Sequence, residues 1–163
     1  MKVHTKHFYA SVYFLNELLQ NKEINASMLS YKCETCIRNA RAAIKEIKDM
    51  LLDLNLNLTF WYDSTTNSNV YYLKTPLNQS ILQNLTYKNL DKHLPYIVMI
   101  KLLYNQKVNN KELSKDGFKC SKKMLYPIID ELRMTINMMP TKGKYYDIVY
   151  SEKFQSYIIK EIE

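Results

Sequence analysis

Apolar positions in the first third of the chain recur at helical spacing. In "FYASVYFLNELLQ", Val12, Leu15, Leu18 and Leu19 share one side, which predicts a helix closed by "NKE". Ile24, Met28 and Leu29 outline a short second helix. Cys36, Ala40, Ile44, Ile47 and Leu51 follow at steps of four, four, three and four residues, the stripe of a third amphipathic helix. The pattern then changes. "LTFWY" and "VYYLK" are β-prone runs, and the Asp, Ser and Asn residues of the intervening "DSTTNSN" favour a turn, so a hairpin is expected.

The pattern occurs twice. "VNNKELSKDGFKCSKKMLYPIIDEL" (Val108–Leu132) matches "INASMLSYKCETCIRNARAAIKEIK" (Ile24–Lys48) without a gap when each position is compared with the one 84 residues later. At that offset Leu18-Leu19 meets Leu102-Leu103, Asn25 meets Asn109, and Leu29-Ser30 meets Leu113-Ser114. Cys36 meets Cys120, Ile44 meets Ile128, Met50 meets Met134, and Tyr62-Asp63 meets Tyr146-Asp147. Ile44 and Ile128 are therefore expected at equivalent buried sites. Pro127 falls in the second copy's third helix, which it either kinks or begins at its first residue. "KYYDIVY" reads as a strand, and "SEKFQSYIIKEIE" as a returning strand or a helix capped by Ser151, the offset favouring the strand. Between the copies, Thr75–Leu94 carries Ile81, Leu82, Leu85 and Leu90, too apolar for a loose tether. It is read as one or two packed linker helices, with His93 structural at a helix boundary. The expected organisation is residues 1–74 as copy one, 75–94 as linker and 95–163 as copy two. The fold class is mainly α with small β-hairpins (α+β).

Three helices and a hairpin, with the leucine of helix two seven residues before the start of helix three, resemble the winged helix-turn-helix of bacterial DNA-binding regulators. The spacing from Leu29 to Cys36, Ala40, Ile44 and Ile47 is similar to that of DeoR-type and biotin-repressor-type proteins. The resemblance implies two winged helices in tandem, whose third helix reads DNA while the hairpin wing touches its backbone. Cys36 stands where the pattern has a capping Ser or Thr, so Thr35 is the expected cap. The opening "MKVHTKHFYA" is also similar to that of Rrf2-family regulators. That family's three-cysteine iron–sulfur cluster is not carried over, and no cofactor is expected.

Composition narrows the function. With 163 residues, 47% hydrophobic and 24% charged, and only two Gly and four Pro, the chain reads as globular and helix-rich. No run approaches the roughly 18 apolar residues needed to span a bilayer, and the N-terminus lacks a small-residue cleavage site, so a cytoplasmic protein without a membrane partner is expected. Three cysteines argue against a disulfide framework. The "CETC" of Cys33 and Cys36 lacks a second close ligand pair for zinc and is read as small buried side chains at a helix start. There is no glycine-rich phosphate loop and no paired His/Asp/Ser signature, so no enzyme is expected. The net charge of +7 is uneven: residues 1–74 hold nine Lys/Arg against seven Asp/Glu, and residues 75–163 hold fourteen against nine. Such a surplus suits a polyanion.

The outward face of the first third helix shows Arg38, Asn39, Arg41, Ala42 and Lys45 beside Thr35. Arg can bridge two acceptors of guanine, Asn can bond adenine, and Lys mostly meets phosphate. The matching face of copy two holds Lys119, Ser121, Lys122, Lys123 and Tyr126, more cationic and less discriminating. A solvated face with a Lys45–Asp49 pair is the alternative. Trp61, Tyr62, Tyr71, Tyr72, Tyr145 and Tyr146 are read as packing across their hairpins rather than stacking on bases. The expected function is sequence-specific binding of double-stranded DNA by a transcriptional regulator, with a homodimer as a further partner. The alternatives are a plasmid or phage replication or partition protein, and a tandem winged-helix protein-interaction scaffold.

Overall fold

The computed structural model describes residues 3–162, with side chains from His7 onward, so the Rrf2-like opening lies partly outside the described residues. The chain is mixed α+β with small antiparallel sheets, and it divides into two compact units, residues 1–77 and 78–163.

In the first unit, α1 (Val3–Leu19) buries Val12, Leu15 and Leu18 and ends before Asn21, whose φ of 62° suits an asparagine. Ile24 and Asn25 form the short strand β1 rather than the start of a helix. Asn25 also caps α2 (Ala26–Lys32), its side-chain oxygen accepting from the Met28 amide at 2.8 Å. Helix α3 (Ile37–Asp53) buries Ala40, Ala43, Ile44, Ile47, Met50 and Leu51, which includes the apolar stripe read from spacing except for Cys36, which is exposed. Its N-cap is Cys36, without a side-chain capping bond. Thr35 is not the cap: its hydroxyl accepts from the Asn39 amide at 3.0 Å. Strands β2 (Leu58–Asp63) and β3 (Ser68–Leu73) form the hairpin, and β1 pairs with β3, giving the order β1-β3-β2.

The second unit begins with α4 (Gln79–Gln83) and a 3₁₀ turn (Asp91–His93), which bury Leu82 and His93, with Leu90 buried just before the turn. Then come α5 (Leu94–Leu103), α6 (Asn110–Lys115) and α7 (Lys122–Ile136). The hairpin of β4 (Tyr146–Ser151) and β5 (Ser156–Glu161) resolves the final segment as a strand. Pro127 lies inside α7, which starts five residues earlier behind Ser121. That hydroxyl accepts from the Met124 amide at 3.2 Å, so Pro127 does not begin the helix.

From α1 in the first unit and α5 in the second, three helices and a hairpin follow in the same order, but one offset does not relate them. Asn25 and Asn109, Leu29 and Leu113, and the left-handed Asn21 and Asn105 do stand 84 apart and do matching jobs. Beyond them the offset fails. Ile128 is only half-buried, and Met134 is exposed where Met50 is fully buried. The buried stripe of α7 is Leu125, Ile129, Leu132 and Ile136, each 85 residues beyond Ala40, Ile44, Ile47 and Leu51. The hairpins correspond at 88, Asp63↔Ser68 matching Ser151↔Ser156. The shift to 85 arises in the turn before α7, residues 116–121, where residues 33–36 suffice before α3, and the further shift to 88 in the longer connection after α7, residues 137–145 against 54–57. The longer turn inserts Phe118, 3% exposed and 5.5 Å from the Tyr87 ring, behind Gly117 at φ +98°. Buried Lys101 holds its first residue, Asp116, at 2.9 Å and lies 4.8 Å over Tyr87.

Candidate nucleic-acid interface

In the first unit α3 and the hairpin enclose a cleft of about 610 Å³. Arg41, Lys45, Lys48 and Asp49 line its helix side. Tyr62, Thr66, Asn67 and Asn69 line the hairpin side. The hairpin tip is braced locally: Asp63 accepts from the Thr65 amide at 3.0 Å and the Thr66 hydroxyl at 3.1 Å, and Thr66 meets Ser68 at 2.8 Å. These bonds, Thr65's first, hold the Asp63 carboxyl below its ordinary pKa. Among the described residues, Arg38, Arg41, Lys45 and Lys48 form no ion pair; the Lys45–Asp49 pair does not form. Arg41, Lys45 and Lys48 follow one another at i, i+4 and i+7, so their Cα atoms rise about 10 Å along one side of the helix.

The expected residues do not all share this cleft. Arg38 stands on the exposed crest of α3. Asn39 turns away from the hairpin, its amide donating to Thr35 in the turn after α2. Lys48 was missed, although its spacing from Arg41 and Lys45 was visible in the sequence.

The second unit has a cleft in the corresponding place, about 510 Å³, between α7 and its hairpin. Its chemistry differs. Lys122 and Tyr126 line it, joined by Leu125, Ile129, Asp130, Arg133, Ile148, Tyr150 and Tyr157. Arg133 is engaged by Asp147, Nε at 2.6 Å and a terminal nitrogen at 3.0 Å, and this pairing lowers the Asp147 pKa and raises that of Arg133. Tyr126 hydrogen-bonds Tyr157, whose phenol is pushed up mainly by burial, and Tyr157 packs edge-on against Tyr150 at 5.2 Å. Lys123 is exposed outside the cleft. The Ser121 hydroxyl is spent capping α7, and the Lys119 amide donates to Asp91 at 2.9 Å.

Of the hairpin aromatics, Tyr71 packs across to Phe60 and edge-on to Phe14, both at 5.9 Å. Trp61, Tyr62 and Tyr145 are exposed instead, and the Trp61 indole donates to Glu23 at 3.3 Å. Cys36 is exposed rather than buried. Cys33 is half-buried, and burial pushes its thiol up to about 12, leaving little nucleophilic thiolate near neutrality. Among the described residues no three His, Cys, Asp or Glu side chains are placed to hold a metal ion, and no helix is long and apolar enough to cross a membrane. No protein-family model, curated protein or solved structure matches the chain.

Proposed function

We propose that this chain is a sequence-specific double-stranded DNA-binding protein, built as two winged helix-turn-helix units in tandem, and that it acts as a transcriptional regulator. The observation that carries the reading is the row of Arg41, Lys45 and Lys48 facing the braced hairpin tip, without an ion pair among the described residues. Each strand of duplex DNA carries a phosphate every 3.4 Å or so of axial rise, so three cations in a row rising about 10 Å can each meet a phosphate of the backbone beside the groove. Arg41 carries the bidentate donor geometry that distinguishes guanine, and Lys45 and Lys48 supply charge to the backbone. Arg38 adds a donor on the crest.

The test is fluorescence anisotropy on selected and scrambled duplexes across a salt series. Expected is affinity for the selected duplex that falls steeply with salt, with a log–log slope of about −2.7 or steeper for three or more displaced counterions. Absence of binding to any duplex near 50 mM salt would overturn the reading in favour of the interaction scaffold. A map of bound genomic sites separates a regulator from a replication or partition protein: the former occupies promoters, the latter an origin or partition locus.

A further inference from the structure

The second unit's cleft is unsuited to a polyanion. Of its two cationic side chains, Arg133 is tied to Asp147 in a two-point pair, and Asp130 places a carboxylate where the first unit has Lys45. What remains is an apolar floor of Leu125, Ile129 and Ile148, all buried, under the half-exposed rings of Tyr126 and Tyr150. Lys122 lies at the N-terminal end of the helix side and Asp130 two turns on, one turn short of the paired Arg133, and neither Lys122 nor Asp130 forms an ion pair among the described residues.

We propose that this cleft docks a short extended peptide segment of a partner protein, with an acidic side chain at the Lys122 end, bulky apolar or aromatic side chains over the floor, and a basic side chain at the Asp130 end. The dimensions match. Eight residues of helix separate Lys122 from Asp130, about 12 Å, which an extended chain covers in about four residues. Charge order matches too: Lys122 sits in the first turn of α7, where the helix dipole also favours an anion, and Asp130 two turns on attracts a cation. Aromatic rings lining a neutral groove supply contact area at low conformational cost. This assignment is independent of DNA binding by the first unit.

The experiment is a ¹⁵N-resolved NMR titration of the full chain with three end-capped tetrapeptides, Glu-Tyr-Leu-Lys, Glu-Tyr-Leu-Glu and Lys-Tyr-Leu-Lys. Expected is a perturbation confined to amides around Leu125, Ile129, Ile148 and Tyr150, with the mixed-charge peptide binding most tightly. The exposed sites at Asp130 and Lys122 tolerate substitution, so D130K should transfer the preference to Glu-Tyr-Leu-Glu and K122E to Lys-Tyr-Leu-Lys. Each switch should amount to roughly twofold to fivefold, as for one exposed charge pair. No response to any peptide at millimolar concentration overturns the proposal. So does equal binding of all three that D130K leaves unchanged, which marks a site for a small apolar ligand. Perturbation of the same amides by duplex DNA, or by raising protein concentration alone, assigns the cleft to nucleic acid or to a second copy and likewise overturns it.

Discussion

The same two turns of helix carry Arg41, Lys45 and Lys48 in the first unit and Tyr126, Asp130 and Arg133 in the second, each set facing its own hairpin across a cleft of similar size. Backbone arrangement is shared and chemistry is not. Where the first cleft offers three cations and one carboxylate, Asp49, the cations without ion pairs among the described residues, the second offers one lysine, one carboxylate, an arginine already paired and three tyrosine rings. The unit with the smaller net charge, nine cationic against seven acidic residues, thus presents the more cationic cleft. Total charge is a poor guide to where a polyanion lands, because ion pairs and helix faces decide which charges reach it.

The largest test of this comparison concerns its register. Ile44→Ala and Ile129→Ala should each cost about 2–5 kcal/mol in urea unfolding, the range for truncating a buried large aliphatic, and Ile128→Ala distinctly less. Equal losses at 128 and 129 would restore the ungapped 84-residue correspondence and dissolve the contrast between the clefts.

Next in size is base readout. Arg41→Ala should cost about 1–3 kcal/mol on the selected duplex and narrow its lead over scrambled DNA, whereas Tyr126→Ala should leave DNA affinity unchanged. Anisotropy titrations of both variants decide it, and a matching loss in the second would place both clefts on the duplex.

A smaller effect separates the two ends of these rows. Lys48→Ala should reduce the log–log salt slope by about one contact, roughly 0.9, while Arg133→Ala, already neutralised by Asp147, should not change it. A slope altered by Arg133→Ala would mean that DNA displaces Asp147.

The smallest effect lies in the pH dependence of stability. Pairing lowers the Asp147 pKa in the folded chain, so its contribution is present above the unfolded carboxylate value, near 4, and is lost as pH falls through the lowered folded value. Wild type should therefore exceed Asp147→Asn slightly in urea midpoint at neutral pH, with the gap closing in acid as the carboxyl protonates. A gap that persists in acid would show that the bidentate pair contributes nothing.

Most local elements were legible in the residue pattern. The stripe of Ala40, Ile44, Ile47 and Leu51 and the turn in "DSTTNSN" follow from side-chain period and turn chemistry, which act over a few residues, whereas the last segment was open between strand and helix. The pattern also supplied Arg41, Lys45 and Lys122 for the clefts, because they lie off the apolar stripe. The remainder comes from contacts between residues distant in the chain. A longer turn filled by the buried Phe118 shifts α7 by a residue, moving Ile129 inward and Ile128 off the buried stripe. Packing of the hairpin against one flank of α3 selects Lys48 and leaves Asn39 to Thr35. Pairing across fourteen residues removes Arg133 from the free charges. Each of these depends on which distant group fills the adjoining space, and periodicity along the chain carries no record of that.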